Sequence, residues 1–135
     1  TRTQLTINEV GIGFNLTWHT IPAIVQLVGA PRAKEMILLG HTYDAGTLLE
    51  YGYVNEVMDD AALLPRAFKL ADEICNQPPW PTFSTKASIN AYAKALDRSV
   101  HHLDCLSTAL MSHGENGRIA RETYFNRGER KWVEE

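Results

Sequence analysis

A chain of 135 residues is long enough for one domain with a buried core, and its make-up, 44% apolar and 21% charged, is that of an ordinary globular protein. A net charge of −3 offers no basic face for nucleic acid. No apolar run approaches the ~20 residues of a membrane span and no charged-then-apolar leader opens the chain, so the sequence implies neither nucleic acid nor a membrane as partner.

Residues 1–7 alternate crudely, with Leu5 and Ile7 on one face, and predict a short edge strand. Ile21 to Gly29 predicts an apolar helix with Pro22 in its first turn and Gly29 as its stop; Pro31 opens the next helix. There Ala33, Met36 and Ile37 share a face and are expected in the core. Gly40 and Gly52 each follow an apolar helical run, where glycine adopts a left-handed closing conformation most cheaply. Asp44 stands as an N-cap between them, and Tyr53–Val57 alternates as a half-buried strand does.

Asp59-Asp60 is polar punctuation. A helix through residues 65–75 follows, with Leu64, Ala67, Phe68, Ala71, Ile74 and Cys75 on its apolar face and Arg66, Lys69, Asp72 and Glu73 solvated. Gln77-Pro78-Pro79-Trp80-Pro81 is a rigid corner, too short for a domain linker, after which Thr82 or Ser84 can cap. Residues 84–112 lack Gly and Pro and predict one long helix, bent near Asp97-Arg98-Ser99, with a stripe including Ile89, Leu96, Val100 and Leu103. His101 and His102 are adjacent and point about 100° apart, which does not suit a metal. A break at 113–117 precedes a last helix over 118–127. Cys75 and Cys105 form neither a CxxC nor a disulfide framework and read as small reduced core residues. A reducing compartment is the consistent expectation: the cytoplasm, or a mitochondrial or peroxisomal matrix in a eukaryote.

Leu39-Gly40, Asp44-Ala45, Tyr51-Gly52-Tyr53-Val54 and Val57 resemble the LTG-x-x-x-x-A-x-x-A-x-x-x-GLV-x-x-V pattern of the enoyl-CoA hydratase/isomerase family, the crotonases. The resemblance runs from about Leu5 to Trp132 and matches only the C-terminal half of a complete member. It implies an α/β crotonase-like (ClpP/crotonase) fold in its C-terminal portion, mostly helical with one or two short strands. Residues 1–135 would be the helical, oligomerising half of a crotonase domain, with the β-rich N-terminal half absent from the chain.

Asn8-Glu9-Val10-Gly11-Ile12-Gly13 is similar to the family's PE-x-x-x-G, whose glutamate exchanges a proton with the substrate carbon or with water. That role falls on Glu9; spacing alone reads it as an exposed loop glutamate. A carboxylate does such work when partial burial disfavours its charged form and a nearby donor orients it. The family then continues with a glycine-rich IPG-x-GGT-like run, whereas this chain has Phe14 to Pro22 with no glycine, which would narrow or reshape the acyl pocket. Some branches carry their acid at positions matching Thr17 or Trp18, neither of which is a carboxylate. The adjacent His19 is either a base or a polar residue at a helix start. Glu115, Phe125, Arg127, Arg130, Lys131 and Trp132 resemble the family's closing S-x-D-x-x-EG-x-x-AF-x-EKR-x-P-x-F. The resemblance puts the last four near the adenine and phosphates of coenzyme A, where cations suit a phosphate and a flat ring suits adenine; the other reading is a basic helix end that serves only the helix dipole.

The resemblance thus implies proton transfer on an acyl-CoA thioester through an enolate held in an oxyanion hole, as in fatty acid metabolism. Coenzyme A would come as part of the substrate, with no permanently bound cofactor and no metal. It further implies a homo-oligomer, a trimer or hexamer, or a companion N-terminal chain, and no activity for this chain alone. The alternatives are a crotonase-fold β-diketone hydrolase, suggested by the altered Thr17-Trp18-His19 region, and a non-catalytic assembly subunit.

Overall fold

The computed structural model describes residues 2–126 and 131–133, without the side chains of Arg98, His101 and His102. In order they form β1 (Gln4–Thr6), a 3₁₀ turn (Val10–Ile12), α1 (Thr20–Leu39), β2 (Thr42–Asp44), α2 (Ala45–Glu50), α3 (Asp60–Cys75), α4 (Pro79–Ala93), α5 (Arg98–His113) and α6 (Glu115–Asn126). The result is mostly helical with two short strands. β1 and β2 pair antiparallel, with Leu5 opposite Tyr43, and the Thr6 and Thr42 hydroxyls hydrogen-bond across the ribbon at 2.7 Å.

The core lies between this ribbon, the loop after the 3₁₀ turn, α1 and α2. Ile7, Leu16, Ile24, Val28, Met36 and Leu48 are among its buried members, and Met36 is wholly enclosed. α1 kinks at Gly29, whose φ of 76° and ψ of 159° belong to a region open essentially to glycine alone, so the helices predicted at 22–28 and 32–39 meet across that residue. Gly40 closes α1 at φ 62°, and a Cβ there would come within 3.2 Å of the Ile7 carbonyl.

Asp44 caps α2 as expected, its carboxylate accepting the Thr47 N–H at 2.8 Å. The strand predicted at 53–57 does not form. Gly52, at φ 76°, and Tyr53 donate their N–H groups back to Leu49 and Leu48 at 3.0 and 2.9 Å, a Schellman closure, and this removes the Tyr53 donor from any ladder. Tyr53 and Val54 pack on the core instead.

Four further expectations need correction. The helix predicted at 65–75 begins earlier, at Asp60, with Pro65 in its second turn. The long helix at 84–112 is two helices, because α4 starts at Pro79 and ends at Ala93, and turns through 94–97 lead into α5. Gln26 of α1 donates to the Ala93 carbonyl and to Asp97 there, so a tertiary partner makes the break that no Gly or Pro announced. Thr82 lies inside α4, its hydroxyl donating back to the Pro78 carbonyl, so neither Thr82 nor Ser84 begins a helix. Finally, Cys75 on α3 and Cys105 on α5 are exposed and not part of the core.

Three carboxyls are held below their ordinary values: Asp44 by the Thr47 N–H, Glu56 by Arg66 and Glu115 by Arg118. A depressed folded-state value adds stability above the unfolded values of 3.8 and 4.5, and that stability is lost as pH falls below them. The thermal midpoint of the complete protein, followed by circular dichroism, is therefore expected to fall as pH drops below about 4.5. Asp44→Asn keeps a capping acceptor that does not titrate, so it should lessen that fall. A midpoint constant down to pH 3 would exclude these groups.

Candidate active site

Glu9 immediately precedes the 3₁₀ turn. Its carbonyl accepts from Ile12 at 3.1 Å and Phe14 at 2.9 Å, so the backbone wraps around it. The residue is half-buried, and its Oε2 is buried with no hydrogen-bond partner among the described residues. Buried carboxylate oxygens are normally paired, so an orphan one points to strain or to a function. Gly13 closes the turn at φ 82°, and a Cβ there would lie 2.8 Å from the Ala120 Cβ and 2.9 Å from the Gly117 carbonyl. Glycine is required twice over, by conformation and by the close approach of α6.

α6 holds this segment along its length. Asn8 donates to the Tyr124 hydroxyl at 3.1 Å, and the Arg121 guanidinium lies 5.3 Å above the Phe14 ring. The same guanidinium donates to the Met111 and Ser112 carbonyls, each at 3.2 Å, and so ties the end of α5 to the turn. Between these elements lies a hollow of about 400 Å³, lined by Val10, Phe14, Leu38, Met111 and Trp132 among others.

His19 sits elsewhere. It precedes α1, and both it and Trp18 are left-handed, at φ 58° and 59°, a conformation costing roughly 1–2 kcal/mol for each residue with a side chain. Three bonds hold the strained pair: Thr20 N and Oγ1 to the Thr17 carbonyl at 3.1 and 2.6 Å, and His19 N to Asp104 Oδ2 at 3.1 Å. Trp18 is 86% exposed. His19 lines a second hollow, of about 610 Å³, with Thr17, Trp18, Asp104, Cys105 and Thr108. Glu9 is not among the residues lining that hollow, so the structure does not bring the two acid/base candidates together. Asp104, part of this second cluster, was missed in the sequence because nothing there tied a residue of α5 to a turn 85 positions earlier.

At the tail, Arg127 and Arg130 lie outside the described residues. Lys131 is exposed. Val133 is pinned to the start of α6 by both ends of the Asn116 amide, which donates to its carbonyl at 2.6 Å and accepts its N–H at 2.9 Å. Trp132, the residue before it, lines the hollow beside the 3₁₀ turn. Sequence reading missed Asn116, whose role depends on where the tail returns.

A sequence model of the enoyl-CoA hydratase/isomerase family matches residues 1–135, the whole chain. The chain belongs to that family. Among its relatives, a mevalonyl-coenzyme A hydratase of Beauveria bassiana is 27% identical over 127 residues, 92% of this chain and 45% of that protein. Another mevalonyl-coenzyme A hydratase, from Aspergillus fumigatus, is 32% identical over 71 residues, 53% of this chain and 26% of that protein. The crystal structure of an enoyl-CoA hydratase/isomerase from Pseudoalteromonas atlantica superposes with a TM-score of 0.86 at 17% identity, covering 97% of this chain and 52% of that one. The fold is thus the crotonase fold, and this family member spans less than half the length of the curated relatives it matches.

Proposed function

We propose that this chain supplies the C-terminal half of an enzyme that moves a proton on an acyl-CoA thioester, with Glu9 as the acid/base. The observation that carries the reading is the buried Oε2 of Glu9, unpartnered among the described residues, at the position matching the glutamate of the family's PE-x-x-x-G. In hydration, water adds its oxygen to the β-carbon of a 2-enoyl thioester, negative charge gathers on the thioester oxygen, and the α-carbon takes a proton. Glu9 delivers or removes such a proton, while backbone amides of the N-terminal half hold the developing oxyanion. Lys131, with Arg127 and Arg130, would meet the phosphates of coenzyme A. The names of the two fungal relatives make mevalonyl-CoA the first thioester to try.

The test is turnover by the complete protein, including its N-terminal half, of mevalonyl-CoA and of straight-chain 2-enoyl-CoA thioesters, followed by ultraviolet absorbance of the conjugated enoyl group. Conversion of at least one is expected. Failure to bind or convert any of them would exclude the acyl-CoA reading, and cleavage of a β-diketone in the same preparation would put a carbon–carbon hydrolase in its place.

A further inference from the structure

We infer that α6 positions the carboxylate of Glu9, with Ala120 and Tyr124 as its positioning residues; this rests on the acid/base reading above. The core anchors the Glu9 segment at its two ends. Ile7 and Leu16 are buried there, but none of the three residues of the 3₁₀ turn between them is buried. The place of that turn is therefore set by neighbouring elements and not by core packing. α6 supplies contacts from one side, because Gly117, Ala120, Arg121 and Tyr124 have the i, i+3, i+4, i+7 spacing of a shared helix face.

These residues grip the segment before and after Glu9. Before it, the Tyr124 hydroxyl accepts from the Asn8 amide. After it, Gly13 lies so near α6 that a Cβ there would fall 3.0 Å from Gly117 Cα and 2.8 Å from Ala120 Cβ, and Arg121 stands over the Phe14 ring. Between the grips the backbone moves as a block. Ile12 donates to the Asn8 and Glu9 carbonyls, Gly13 to Val10 and Phe14 to Glu9, all at 2.9 to 3.1 Å. A displacement of Asn8 or Gly13 thus carries Glu9 with it. Ala120 is itself buried, so two added methyl groups would have to force the turn and the helix apart. Proton transfer needs hydrogen-bond reach, and a catalytic group misplaced by ~1 Å can lose about 10²-fold in rate.

The experiment measures kcat and KM of the complete protein, on a thioester that it converts, for the wild type, Ala120→Val, Tyr124→Phe, Glu9→Gln and each α6 substitution combined with Glu9→Gln. Ala120→Val is expected to lower kcat about 10²-fold and Tyr124→Phe about tenfold, both with KM near wild type. In the Glu9→Gln background each should lower the residual turnover by less than about twofold, because the group it positions is already gone. The full loss in that background would make α6 a general structural support and overturn the proposal. So would an unchanged kcat in both single variants, which would leave the placing of Glu9 to the N-terminal half. If Ala120→Val does not fold, Tyr124→Phe, which keeps the ring and removes one oxygen, decides by the same two comparisons. If the wild type converts no thioester, or Glu9→Gln keeps full turnover, the acid/base reading fails, and the grip is read from hydrogen exchange. Faster exchange of the Ile12 and Phe14 amides in Tyr124→Phe then supports α6 as the element that places Glu9, and unchanged exchange overturns it as well.

Discussion

Glu9→Gln in the complete protein is expected to lower turnover about 10²-fold or more, the scale of a positioned proton-transfer group. Glutamine keeps the shape of the side chain and its hydrogen-bonding atoms but cannot take up or release the proton. The fold should tolerate it. The Glu9 carbonyl, which organises the 3₁₀ turn, is backbone, and the buried Oε2 has no partner among the described residues to lose. The expected signature is thus a fall in turnover with the thermal midpoint close to that of the wild type. Wild-type turnover in this variant would remove Glu9 from the mechanism. A large loss of stability would show instead that the carboxylate is a structural group.

The features legible from sequence are those in which one residue type answers one backbone demand. Gly40 and Gly52 were readable as left-handed stops because few other residues reach a positive φ without strain, and Asp44 as a cap because its carboxylate serves an amide only three residues away. What failed was decided by distant partners. The alternation of Tyr53 to Val57 is real, but it is spent on a helix closure and on core packing, while the edge that β1 needed was filled by Thr42–Asp44. The break at 94–97 depends on Gln26, 67 positions from the carbonyl it reaches. At the site, motif register gave Glu9 and the turn that carries it. It could not show that Trp18 and His19 would take left-handed conformations, because one of the bonds that hold them comes from Asp104 of α5.

The chain alone is expected never to behave as a compact monomer of 15.1 kDa. It exposes 10315 Å², whereas a folded monomer of its mass exposes about 7,100 Å². The difference, about 3,200 Å², far exceeds the roughly 800 Å² that each partner buries in a standard interface, so it belongs to the obligate class. Its location agrees. α3 and α4 contribute no residue to the core, and Phe68, Trp80 and Tyr92 are 68%, 78% and 89% exposed. Ile89, Leu96 and Leu103 of the predicted stripe are exposed too, and Val100 is half-buried. Monomeric soluble proteins rarely show contiguous apolar patches beyond a few hundred Å², and such surface in water drives association. Sedimentation of the purified chain should therefore show a multimer or a complex with a second polypeptide, and adding the N-terminal half should raise the thermal midpoint by protecting these helices. A monodisperse chain of this mass that unfolds in one cooperative step, with α3 and α4 protected from hydrogen exchange, would show that the exposed faces are stable uncovered. The half-domain reading would then fall.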